Sequence, residues 1–149
     1  MPATHLKASR SMKQILALLS LISLLAMTGS GAAAMSSDSV AQEMTSLSLD
    51  QPVAADDPAV ARARAMLEQI SKRSGDDATA IFAACRRYAG HLRDAAHIKA
   101  SQLELLAALD TYGKTGQSIN DTLQAYVAAR KAAADKTHAA AMAALARQK

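Results

Sequence analysis

Aromatic side chains and thiols are both scarce in this chain. Its 149 residues include no tryptophan, one phenylalanine, three tyrosines and one cysteine. A lone cysteine, Cys85, cannot staple the chain to itself, so an internal disulfide framework is excluded. Ile81, Phe82, Tyr88, Ala89 and Leu92 recur around Cys85 at helical spacing, which marks it as a small buried hydrophobe rather than a dimer cross-link or a reactive thiol. So few aromatics also leave little surface for stacking nucleic-acid bases, and no nucleic-acid partner is expected.

The familiar catalytic and metal-binding spacings are missing as well. No His-Glu-x-x-His, Cys-x-x-Cys or Gly-x-Ser-x-Gly occurs. Gly113-Lys114-Thr115-Gly116 lacks the glycine spacing and the preceding strand of a phosphate loop, and reads as a connection between helices. His91, Asp94 and His97 come nearest to a metal cluster. His91 and His97 are six residues apart, however, and fall on separate faces of a helix, so they cannot converge on one ion. His138 sits at the edge of an apolar stripe and reads as a packed or half-exposed residue. The chain therefore offers no catalytic residue, no metal ligand and no cofactor site, and a non-enzymatic role is expected.

What is present begins at the N-terminus. Met1–Lys13 contains Lys7, Arg10 and Lys13 and no acid. Ile15–Met27 is a continuous apolar run softened by two serines, and Ala32-Ala33-Ala34 follows the breakers Thr28–Gly31. Basic, apolar and small-residue regions in that order form a secretory signal. Residues 1–34 are accordingly expected to be removed, which places the working protein in the periplasm or outside the cell. A second acceptable cleavage site ends at Ala41. The alternative is an uncleaved inner-membrane anchor carrying a coiled-coil spacer, but a span needs about 20 mostly apolar residues, and Thr28–Gly31 interrupts this run first.

The chain carries 17 bases and 13 acids. Three of those bases and none of the acids lie in residues 1–34, so the remainder is nearly balanced. Met35–Asp57 has five acids and no base, whereas Pro58–Lys149 has fourteen bases and eight acids. Residues 35–57 are rich in Ser, Asp and small side chains and read as a disordered acidic tether.

Residues 58–149 read as an all-α domain. Asp57 and Pro58 start a helix, Gly75 stops it, and Val60, Ala63, Met66, Leu67 and Ile70 share one face. A second helix is expected from Asp77 to Tyr112. Its main stripe runs from Ile81 through Cys85, Leu92 and Ala100 to Leu106, and Gly90 weakens it. A third is expected from Ile119 to Arg147, begun by Ser118 and rich in alanine. The short 113–117 connection makes these two long helices an antiparallel hairpin, with the first as a shorter companion. The second and third rods would span about 54 and about 45 Å at 1.5 Å per residue.

Two surfaces of this hairpin invite partners. Ile98, Leu105, Leu109 and Tyr112 form a second apolar line on the second helix, away from its main stripe. This line is expected to bind an envelope protein or another copy of the chain, unless Leu47 and Leu49 or a bend covers it. Arg130, Lys131, Lys136, Arg147 and Lys149 form a basic end that suits an anionic membrane surface or polymer. Arg130 also lies within the apolar stripe of the third helix, which runs from Ile119 through Leu123, Tyr126, Val127, Ala134 and Ala141 to Leu145, and from there it could reach Asp110 or another carboxylate. The reading that follows is an exported helical interaction, structural or holdase-like module of the bacterial envelope, with peripheral binding of anionic lipid or polymer as its alternative.

Overall fold

Each helix among the described residues begins on a short polar side chain that accepts an N–H from the first turn. The computed structural model describes residues 35–148, and the expected leader and Lys149 lie outside them. The helices are α1 (Ser37–Leu49), α2 (Pro58–Ser74), α3 (Ala78–Ala96), α4 (Gln102–Tyr112), α5 (Ile119–Ala132) and α6 (His138–Ala146). Their caps are Ser36, Asp57, Asp77, Ser101, Ser118 and Thr137, in that order. A cap of this kind satisfies one of the N–H groups that a helix start leaves unpaired. There is no strand among the described residues, and the fold is all-α.

α2 forms as its residues predict, from Asp57 to a left-handed Gly75, with Val60, Ala63, Leu67 and Ile70 buried. Three other expectations are corrected. Residues 35–57 are not a disordered tether, because Ser37–Leu49 is a helix that buries Val40, Ala41, Met44 and Thr45. Those four positions make one helical face, and the polar residues between them fill the outer side. An Arg64–Asp38 ion pair fastens α1 to α2.

The expected 77–112 helix is two helices. The chain leaves the helical path at His97, whose φ is 54°. Its N–H donates to the Arg93 carbonyl at 3.1 Å, and the Ile98 N–H donates to the Leu92 carbonyl at 3.0 Å. The first of these bonds is that of the left-handed αL helix ending, with histidine where glycine is usual. Ser101 and Glu104 then start α4 with a reciprocal capping box. The expected 119–147 helix is also two, interrupted between Ala132 and His138. Lys136 there has a φ of 55°, and Thr137 caps the next helix. The two long rods, and the elongated hairpin built from them, are replaced: the described residues form six shorter helices around a common core.

α4 occupies the centre of that arrangement, touching all five of the other helices. Leu105, Leu106, Ala108 and Leu109 are all buried. The C-terminal end of α4 is closed by α2, where Arg73 donates from Nη1 to the Asp110 carbonyl at 2.8 Å and from Nη2 to the Leu109 carbonyl at 3.1 Å.

Candidate functional site

The apolar line proposed as a partner surface is part of the core. Ile98, Leu105 and Leu109 are buried and Tyr112 is partly so. The turn at 97–101 tips α4 inward, and α1 and α2 pack over it. A helix surrounded on several sides must be apolar on several faces, so the second stripe belongs to a central helix. Leu47 and Leu49 do not cover it; they are 50% and 48% exposed. Tyr112 instead donates its hydroxyl proton to the Met142 carbonyl of α6 at 2.7 Å.

The basic end also divides. Lys131, Lys136 and Arg147 are exposed, and the Lys136 ammonium donates to the Lys131 carbonyl. Lys149 lies outside the described residues. Arg130 is removed from any such surface, being 4% exposed. Its carboxylate partner is Glu104, at 3.4 Å; Asp110 pairs instead with Arg73.

Arg130 is the hub of a buried polar chain. Its Nη1 donates to the Tyr126 hydroxyl at 2.9 Å, and its Nη2 donates to the Lys99 carbonyl at 3.3 Å. The Tyr126 hydroxyl lies 2.9 Å from Nδ1 of His138. Glu104 Oε2 accepts the Ser101 N–H at 3.1 Å. Burial pushes the Tyr126 phenol up to about 12, despite the adjacent guanidinium. Burial also lowers the His138 imidazole below its ordinary value, with Glu104 opposing and Arg130 reinforcing the shift. This chain gathers the starts of α4 and α6 and the second half of α5 at one place.

Glu104 and Lys99 face the other way into a cleft of about 1030 Å³ between the end of α1, the second half of α3 and the 97–101 turn. Arg86, Arg93 and Lys99 line it against Asp50 and Glu104, with His97 at its edge and Leu47 on its α1 side. Glu104 is already matched by Arg130. Arg93 pairs with Asp94 at 2.9 Å, and Arg86 lies over the Phe82 ring at 5.6 Å. Neither Arg86 nor Lys99 has a carboxylate partner among the described residues. The cleft therefore has a cationic excess beside an apolar edge.

Asp50 and His97, which both line this cleft, are two of the three non-glycine residues with positive φ among the described residues. A left-handed residue with a side chain costs on the order of 1 kcal/mol relative to glycine. At both helix ends the chain carries a polar side chain where glycine would close the helix with less strain.

Cys85 is fully buried, and burial pushes its thiol up to about 12. No group of three or more His, Cys, Asp or Glu side chains among the described residues is placed to hold a metal ion. No described helix is long and apolar enough to cross a membrane. No protein-family model, curated protein or solved structure matches this chain.

Proposed function

We propose that this protein is an exported, non-catalytic helical binding module of the bacterial envelope, and that it takes an acidic segment of a protein partner in the cleft between α1, α3 and the 97–101 turn. The observation that carries this reading is the combination of Arg86 and Lys99, both without a carboxylate partner among the described residues, with exposed Leu47 on the rim of one cleft. Cations there attract an acidic chain over several ångströms, and the apolar rim adds contact area once it docks. Side chains at left-handed Asp50 and His97 support the reading, since strain of this kind gathers where a side chain has a role. The buried chain from Glu104 to Tyr126 holds the cleft floor in place, which favours preorganised binding.

The test is site-specific photo-crosslinking from position 47 in the native envelope fraction, in the parent protein and in an Arg86→Glu, Lys99→Glu double variant. A discrete crosslinked protein whose yield falls at least about tenfold in the double variant, at unchanged helicity, supports the proposal. A crosslink indifferent to both charges rejects it.

A second reading rests on Lys131, Lys136 and Arg147, which are exposed and lack carboxylate partners among the described residues. They could hold the protein on anionic lipid or polymer. Such binding would fall steeply with salt and would survive the cleft variant, which separates the two readings.

A further inference from the structure

We infer that His138 is an acid-sensitive latch: neutral, it holds α6 against α5, and protonated, it releases α6. The direction of the hydrogen bonds carries this inference. A guanidinium can only donate, so Arg130 Nη1 fixes the Tyr126 oxygen as its acceptor at 2.9 Å. The phenol oxygen then has one proton to give, and His138 Nδ1, at 2.9 Å, is the acceptor the structure places within its reach. With the phenol donating, Nδ1 is the acceptor, and the imidazole is neutral with its own proton on Nε2.

Adding a proton to Nδ1 disrupts this order. Two donors would face the phenol oxygen, and the phenol proton would lose its acceptor in a buried place. An unpaired buried donor is costly. A second cation would also sit beside buried Arg130. The groups facing His138 are Tyr126 and Arg130 from α5 and Glu104 from α4. Glu104 is the one carboxylate among them, and its Oε2 already serves Arg130 and the Ser101 N–H. Asp135, in the preceding turn, is occupied by the N–H and hydroxyl of Thr137. No free carboxylate among these groups greets an imidazolium.

α6 has little else to hold it. It spans nine residues, mostly alanine, and buries only Ala141 and Leu145. A bond from Tyr112 of α4 to the Met142 carbonyl also ties it to the core. A short helix with few buried side chains opens at low cost, so one latch bond weighs heavily in its equilibrium.

The sign follows from the lowered imidazole. The docked form disfavours the proton, so docking is fully supported above the ordinary value of 6.5 and is lost as pH falls from there through the docked value.

The experiment is amide hydrogen exchange by NMR at about pH 7.5 and about pH 5, expressed as protection factors, alongside a titration of the His138 ring. The expected result is protection of residues 138–146 that falls about tenfold or more on acidification while α2 is unchanged. His138→Gln supplies an amide oxygen that accepts without titrating, so its α6 protection should not vary with pH. Should that variant fold poorly, Tyr126→Phe should loosen α6 already at about pH 7.5 and remove the pH dependence. A ring that titrates at or above 6.5, equal α6 protection at the two pH values, or a pH dependence that persists in the variant that folds would each overturn the inference.

Discussion

Arg130 donates to the hydroxyl of Tyr126, one turn earlier on α5, at 2.9 Å, and this contact bridges the two places where long helical runs are interrupted. From there Nη2 reaches the Lys99 carbonyl in the first interruption, and the phenol reaches His138 just after the second. A buried cation of this kind adds little stability over an apolar replacement but is costly to leave half-paired.

That asymmetry sets the first prediction. Glu104→Ala should destabilise more than Arg130→Met. The first strands a guanidinium whose side chain is 5% exposed and also removes half of the α4 capping box. The second keeps an apolar stem in place and strands a carboxylate that is 29% exposed. Losses of about 3–5 kcal/mol for Glu104→Ala and about 2 kcal/mol for Arg130→Met are expected from urea unfolding. The reverse order would show that the ion pair does not organise this region.

Two glycines should respond in opposite ways. A Cβ at Gly90 would meet only the Arg93 Nη2 tip, at 3.9 Å. Gly90→Ala should therefore raise stability by about 0.5–1 kcal/mol, the usual gain for alanine inside a helix. A Cβ at Gly113 would lie 2.6 Å from the Leu109 carbonyl oxygen. That oxygen already accepts from the Gly113 N–H and from Arg73. Gly113→Ala must push the backbone apart there and should cost about 1–3 kcal/mol. Thermal unfolding of the pair, run side by side, checks both signs.

Cys85 should behave as a core atom group. In the native protein, a thiol reagent should modify it only at the rate at which the protein opens, because the thiolate is disfavoured and the site is closed. Cys85→Ala should cost about 1 kcal/mol, and Cys85→Ser more, since the added hydroxyl would enter an apolar site. Rapid labelling under native conditions, or a disulfide-linked dimer on a non-reducing gel, would contradict this placement.

How much of this was legible in the residues differs from helix to helix. α2 was readable in full, because Asp57, Pro58 and Gly75 punctuate it and its apolar face has a clean period. α1 was missed because serines and acids between Val40, Ala41 and Met44 resemble a solvated linker by composition. Its period-3.6 pattern was present but short. The interruptions at 97–101 and 133–137 contain neither proline nor glycine, and the surrounding alanines favour helix. Ser101-x-x-Glu104 did announce a new start, but the apolar stripe running through Ala96, Ala100 and Leu103 masked it. The second apolar line, Ile98 in the turn and Leu105, Leu109 and Tyr112 on α4, is legible in the residues, but its burial is not. Sequence periodicity shows that a helix has two greasy faces; whether solvent or another helix meets the second depends on where the chain bends. The cleft was invisible for the same reason, since Asp50, Arg86 and Lys99 come together only through tertiary packing.

The position of α1 bears on where the expected leader would be removed. Two small-residue sites were available, ending at Ala34 and at Ala41. Cleavage after Ala41 would remove Ser36, which caps α1, and Val40, which is fully buried. It would also take Asp38, the ionic partner of Arg64. Burying a valine side chain is worth about 1.5–3 kcal/mol, so the shorter product would lose a fastening of α1 that the longer one keeps. We expect the mature protein to begin at Met35, as read by mass spectrometry of its N-terminal peptide from the native envelope. A chain beginning at Gln42 should have a lower unfolding temperature and weaker exchange protection in residues 42–49 than one beginning at Met35. If the native terminus is Gln42 and the two forms are equally stable, α1 does not contribute to the fold in the way its buried face indicates.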